Sequence, residues 1–352
     1  MGQHILSFLK YCILTFLFTY GIFYTSYKYG RPDLGNWDFL KYSKMVDAPL
    51  NLSATVAPHA LRQLPTLLAY AAKQSRLYYP NDISFARSVT YKGLNMQKNF
   101  FALLLVNYAA FIAAVALIIW FVVTYGHLQK SNFIYFSCIA LCSGYFMVPV
   151  NIIAPMSQGF GWLASVLLSI GIFSARYRYI IIGGLIGIFS RETTVLFFMV
   201  LSIISGVVLY MTKRKPSFFF NTSFILLGLF VTLLLFRINL TTGQEKQFSI
   251  LYLIGKTFDS ATKADYLFQA FLTQGLLFFL FTLCYKKDKR RTINYIAAAI
   301  FILLIGGFGA GRLLGETYPY LVLLYLLPSA ADQKPGGQFA DRHTAKAAVL
   351  QG

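Results

Sequence analysis

Long apolar runs separated by short polar turns recur along this chain from Phe8 to Leu327, and no long polar interval follows Lys98. A run of roughly 18–20 apolar residues is long enough, as a helix, to cross the hydrocarbon core of a bilayer. The pattern predicts helices over about 5–25, 99–125, 132–153, 160–175, 179–190, 194–211, 217–236, 267–284, 293–310 and 314–328. The expected fold is all-α: a polytopic transmembrane helical bundle of about ten spans in one domain over 1–328. The segment 329–352 is rich in Gly, Gln and Ala and is expected to be a disordered cytoplasmic tail.

Two places break the regular pattern. Residues 26–98 form a long first loop with two amphipathic stretches. In 37–47, Phe39, Tyr42, Met45 and Val46 fall on one helical face, opposite Asp38, Lys41 and Lys44. In 59–74, Leu61, Leu64, Leu68 and Ala71 form an apolar stripe opposite His59, Arg62, Thr66 and Lys73. Helices of this kind lie in a membrane interface with the apolar side down. The second break is the run from Tyr179 to Ser190, only about 18 Å long as a helix. That is short of the ~30 Å core, so the polar turn after it should lie in a recess lined by protein or water.

Composition supports the lipid reading. The chain is 57% hydrophobic and 12% charged, about half the charge of an ordinary soluble domain. The net charge of +19 invites a nucleic-acid reading. The cations, however, sit in short clusters between apolar runs, as in cytoplasmic loops that obey the positive-inside rule, and no nucleic-acid partner is expected. With the N-terminus inside, every even-numbered turn is basic: Lys130, then Arg176 and Arg178, then Lys213–Arg214–Lys215, then Lys286, Lys287, Lys289, Arg290 and Arg291. The tail, with Lys334, Arg342 and Lys346, falls on the same side. The expected product is a multi-pass protein of a bacterial inner membrane with both termini cytoplasmic and an uncleaved first span. The first loop is then outside and carries ten basic and four acidic residues, suited to an anionic headgroup or lipid phosphate. Simple adhesion to anionic lipid would use the same surplus.

Ionisable groups at membrane depth cost about 2.5–3.5 kcal/mol each on insertion scales and are functional candidates by default. Arg191 and Glu192, in the turn after the short run, are either structural, paired within the turn or with a neighbouring helix, or substrate-facing, with Arg191 holding a phosphate oxygen and Glu192 orienting it or a sugar hydroxyl. Arg312 and Glu316 are four residues apart on one helix face at the mouth of the last run, where interfacial snorkelling is an equal alternative. Arg62, just before Pro65, is a further phosphate ligand candidate. Transfer to a hydroxyl needs a carboxylate to accept its proton. Asp38 opens the first amphipathic stretch and is the favoured base; Asp33 is the other, in which case Asp38 only starts a helix. Cys12, Cys138, Cys142 and Cys284 fall inside apolar runs and read as packing, as do Gly183, Gly184 and Gly187. No residue set specifies a cofactor, and a divalent metal ion is left open.

Three local motifs sit on this layout: Leu61-Arg62-Gln63-Leu64-Pro65, Ser190-Arg191-Glu192 after a Gly-rich short run, and Gly315-Glu316-Thr317 leading to Pro328. With a first span, a long outer loop holding an early acidic residue, and many later spans, the chain resembles the GT-C class of polytopic membrane glycosyltransferases. The likeness covers residues 5–328 in outline and is strongest to bacterial members. It implies a polyprenyl-phosphate-type lipid-linked sugar donor, a glycan, lipid or protein acceptor, and chemistry on the non-cytoplasmic face. The better-known members often carry an adjacent acidic pair, whereas Asp33 and Asp38 are separated here. A transporter or flippase of a lipid-linked or anionic solute, and a non-catalytic membrane subunit, are the alternatives.

Overall fold

The computed structural model describes residues 2–29, 38–52, 55, 61–75, 90–91, 94–125, 135, 137–142, 157–240, 279–306 and 310–327. Asp33, most of the runs expected at 132–153 and 267–284, and the tail lie outside them. The described chain is helical apart from a two-residue antiparallel ladder, β1 Thr90–Tyr91 with β2 Leu94–Asn95. The helices are α1 Gly2–Tyr29, α2 Asp38–Asp47, α3 Gln63–Gln74, α4 Gln97–Tyr125, α5 Gln158–Ser174, α6 Tyr177–Ile188, α7 Glu192–Met211, α8 Ser217–Leu240, α9 Lys289–Gly306 and α10 Ala310–Leu326. Three stretches are long and apolar enough to cross a membrane: Gln97–Tyr125, Glu192–Met211 and Ser217–Leu235. Shorter apolar helices cover Ile5–Gly21, Gln158–Ser174 and Tyr177–Ile188.

The outer helices are apolar outside and polar inside. On α1, Ile5, Leu9, Ile13 and Leu17 are exposed, while Thr15 and Thr19 are fully buried. Those hydroxyls donate to the Tyr11 and Thr15 carbonyls, and Thr19 also bonds the Tyr108 hydroxyl of α4 at 2.7 Å. A helix in water would do the reverse. The same inversion appears on α3, where Thr66 and Ala69 are buried and Leu67 and Leu68 exposed. Leu68 and Ala71 of the stripe thus face outward, whereas Leu61, just before the helix, is buried in the core and Arg62 and Thr66 of the polar side turn into the protein. On α2, by contrast, the apolar face is covered by protein. Phe39, Tyr42, Met45 and Val46 are buried, with Phe39, Tyr42 and Val46 in one cluster with Phe100, Leu103 and Leu104 of α4.

Helix α5 is the hub, packed on α4, α6, α7 and α10. Its N-terminus is held from outside. Asn107, in the middle of α4, accepts the Gly159 N–H at 3.2 Å, and the Ser157 hydroxyl bonds the Tyr42 hydroxyl at 3.2 Å rather than capping its own helix. Its C-terminus closes through Ala175, left-handed at φ 52°, with the Arg176 N–H on the Gly171 carbonyl. Helix α6 then runs for only 12 residues. Its glycines let neighbours approach: a Cβ on Gly183 would meet Ala164 of α5, one on Gly184 would meet Leu229 of α8, and one on Gly187 would meet Val195 of α7.

In α10, Pro319 lies inside the helix. Proline has no N–H to give the carbonyl four residues back, here that of Gly315. The Trp162 indole of α5 donates to that carbonyl at 2.9 Å. Tyr295 of α9 and Thr317 of α10 share a 2.7 Å hydroxyl bond one turn away.

Gly159 is the tightest point of the hub, since a Cβ there would fall on the Asn107 backbone oxygen. Gly159→Ala is expected to destabilise the protein by about 1–3 kcal/mol through overpacking. Gly228→Ala, in open space within α8, should leave stability unchanged or slightly raised. Melting of both variants in one detergent checks the contrast.

Candidate functional site

The short helix α6 ends in a turn that the sequence dictates. Ser190 folds its hydroxyl back onto the Ile186 carbonyl, and the Arg191 backbone N–H bonds the Gly187 carbonyl. Arg191 itself is extended, at φ −156° and ψ 81°, so the helix breaks there and α7 starts at Glu192. Into this break comes the start of α3. The Leu64 N–H donates to the Phe189 carbonyl at 3.0 Å, which uses one of the carbonyls orphaned at the end of α6.

Four charged side chains meet at the break in crossed pairs. Arg62 Nε and Nη2 donate to the two oxygens of Glu192, at 3.0 and 2.6 Å. The remaining arm, Nη1, reaches the Tyr42 hydroxyl at 3.3 Å. Arg191 Nε donates to Glu316 Oε1 at 2.6 Å, and the Thr194 hydroxyl donates to Oε2 at 3.2 Å. Glu316 is 1% exposed and Arg62 6%. Burial would lower the proton affinity of the Arg62 guanidinium. Its facing Glu192 carboxylate and then Tyr42 outweigh this and hold it well above its ordinary value. The cation is therefore permanent.

The pairing differs from the one that spacing suggests. Arg191 and Glu192 do not pair with each other, because consecutive residues at a helix start point to different sides. Glu316 is bonded to Arg191 rather than left to Arg312, one turn earlier in its own helix. Arg312 belongs to α10 and Asp38 begins α2, one turn before Tyr42, but their side chains, like Asp33, lie outside the described residues. The structure thus brings Arg62, Arg191, Glu192 and Glu316 together. It adds Tyr42, Ser157 and Thr194, which the sequence offers only as one aromatic on an apolar face and two small hydroxyls.

The four residues are not equally engaged. Arg62 has all three nitrogens bonded, and Glu192 and Glu316 each accept on both oxygens. Arg191 gives only its Nε. Among the described residues, the two Nη nitrogens of its fork meet no hydrogen-bonded acceptor. Gly161 of α5 leaves the room, since a Cβ there would sit 3.3 Å from Arg191 Cγ and 3.5 Å from Glu316 Cδ. A planar two-pronged donor with a permanent charge suits a phosphate or a carboxylate. A divalent metal fits poorly at this break, because both described carboxylates are already taken by arginines. Among the described residues no group of three or more His, Cys, Asp or Glu stands together.

No protein-family model, curated protein or solved structure matches this chain. The class that fold and site define is accordingly a broad one: a helical protein that has, among the described residues, three helices long and apolar enough to cross a membrane and a buried ionic cluster at a helix break.

The crossed pairing makes a sharp prediction. Breaking a buried pair by removing one partner costs about 3–5 kcal/mol, whereas replacing both by neutral residues of similar size is often harmless. Arg62→Met should therefore be rescued by Glu192→Gln, and Arg191→Met by Glu316→Gln. Arg191→Met with Glu192→Gln should be worse than either single change, because it strands Arg62 and Glu316 together. Melting temperatures of the six variants in one detergent check the pairing.

Proposed function

We propose that this chain is a GT-C-type glycosyltransferase of the cell envelope. It would transfer a sugar from a polyprenyl-phosphate-type donor to a glycan, lipid or protein acceptor on the non-cytoplasmic face. The observation that carries the reading is the uncommitted fork of Arg191, set in a turn after a helix too short to cross a bilayer. The other charges at the break fix its place. Glu316 orients the guanidinium through Nε, and Arg62 ties α3, from the long loop, to the same break through Glu192.

In this mechanism the two Nη nitrogens bind the donor phosphate next to the sugar. As the acceptor oxygen bonds to the anomeric carbon, the bond from that carbon to the phosphate oxygen breaks. Negative charge grows on the departing polyprenyl phosphate, where Arg191 stabilises it. Asp38, or Asp33 in its place, takes the acceptor proton. The two arginines and two glutamates of the break sum to zero charge, so the anion brings the local total below zero. Arg312, one turn before Glu316, is the cation that would offset it. The topology in this reading is about ten crossings with both termini cytoplasmic.

A second reading is a non-catalytic membrane subunit, favoured by the engagement of Arg62, Glu192 and Glu316 within the protein. Arg191→Lys separates the two. It keeps the charge and one bond to Glu316 but loses the two-pronged geometry. As a transferase, the variant should melt near wild type while glycan product falls about a hundredfold. Asp38→Asn should abolish turnover and spare donor binding. Mass spectrometry of surface glycans from strains carrying each variant reads both results, and unchanged glycans in Arg191→Lys would favour the subunit.

Sidedness has its own test. A cysteine replacing Thr212, exposed in the turn between α7 and α8, should react with an impermeant thiol reagent only after the cells are opened. Labelling of intact cells would invert the topology and move the break to the other face.

A further inference from the structure

Helix α5 begins with a buried amide that the ion pairs do not use. Gln158 is 1% exposed, and its Oε1 accepts the Ser157 backbone N–H at 3.1 Å. Its Nε2 has no hydrogen-bond partner among the described residues. A buried donor left unpaired costs free energy and calls for an explanation. Turning the amide over does not help, because the NH2 group would then face the Ser157 N–H. The bond to Ser157 thus fixes which way the donor points. Ser165, Ser202 and Thr222 also hold buried unpaired hydroxyl oxygens. Those are helix-interior hydroxyls, which can rotate onto the carbonyl one turn back. The Gln158 donor has no such local outlet.

Its position is bracketed by the cluster at the break. On one side the neighbouring Ser157 hydroxyl bonds Tyr42, which takes the third arm of Arg62. On the other, Gly161 lies three residues on and touches the Arg191–Glu316 pair. Residues three apart share a helix face, so Gln158 and the position on α5 that meets the Cβ–Cγ stem of Arg191 lie along one face, about one helical turn apart. One turn is about 5.4 Å, the scale of a sugar ring. Gly159, between them, has its N–H on Asn107, and neither glycine projects a side chain.

We propose that Gln158 is a specificity-determining residue, whose Nε2 donates to a hydroxyl on the sugar of the lipid-linked donor held by Arg191. This rests on the glycosyltransferase reading and adds to it a reader for the sugar itself. Arg191 takes the phosphate, which every donor of the class shares. Gln158 takes an oxygen that only the glycosylated lipid has.

The experiment uses the full chain in nanodiscs, titrated with farnesyl phosphate and with farnesyl phosphate carrying single hexoses or pentoses. Wild type should bind one glycosylated probe about tenfold more tightly than farnesyl phosphate, the worth of one well-placed hydrogen bond. Gln158→Glu keeps the size and the oxygen that serves the Ser157 N–H but lacks the donor. It should lose that tenfold gain and bind farnesyl phosphate as before. Gln158→Met removes the amide without adding a buried carboxylate and should show the same selective loss, which keeps the test open if the glutamate variant fails to fold. Arg191→Lys should weaken both probes together. The assignment is overturned if the variants at 158 retain the gain, if they weaken both probes equally, or if wild type never prefers a glycosylated probe while still binding farnesyl phosphate through Arg191. Wild type that binds no probe at all would overturn the glycosyltransferase reading as well.

Discussion

The bond between Arg62 and Glu192 fixes more of this structure than any other single interaction. It joins a residue of the long first loop to the first residue of α7, 130 positions later, and it does so with two parallel hydrogen bonds. Without it, only the Leu64 N–H would hold α3 to the end of α6, its other ties being to α2 and α4. Glu192 would be a carboxylate at the head of an apolar helix with nothing facing it. The bond therefore ties the start of α3 to the start of α7, directly beside Arg191.

Buried charge explains why the break is built from pairs. An isolated ion in apolar surroundings is expensive to keep, and two opposite ions are tolerated when geometry and further hydrogen bonds satisfy them. Tyr42 and Thr194 supply those further bonds. In three of the four groups every nitrogen or carboxylate oxygen already has a partner within the protein. The fourth is steered by one nitrogen and open at the other two. Compensation and availability are thus divided among residues of the same type, and the division follows from the direction of approach of each helix.

Much of this was legible in the chain. Run length placed α1, α4, α5, α7 and α8 closely, and the 12-residue α6 was visible as a run too short to cross. Periodicity grouped Phe39, Tyr42, Met45 and Val46 on one face of α2 but read that face as turned to a membrane interface, whereas the protein itself covers it. For α3 the same periodicity found the stripe, but only the packing on neighbouring helices says that Leu68 faces out and Thr66 in. Partners were harder. Spacing puts Arg312 and Glu316 on one face and leaves Arg191 and Glu192 to pair within the turn or with a neighbouring helix, whereas the two ion pairs join residues 130 and 125 positions apart. Nothing in one sequence encodes such distances. Gln158 was silent for another reason: its signal is a missing partner, and absence becomes visible only once neighbours have coordinates. The Trp162 bond to Gly315 was half legible, since Pro319 announces that the Gly315 carbonyl is free but not which donor will find it.

The order of the chain gives the crossed pairs a meaning in time. Arg62 is made before Glu192, so that glutamate meets its cation as soon as α7 begins. Arg191 has no such fortune, because its carboxylate lies 125 residues further on, in the final described helix. Throughout synthesis of the intervening helices the bundle holds a lone guanidinium at its break. Assembly is finished only when α10 arrives to claim it. A ribosome that stalls before Glu316 would release a chain with each described helix long enough to cross a membrane already made and one unanswered charge inside, a mark by which quality control could tell a nearly complete molecule from a complete one.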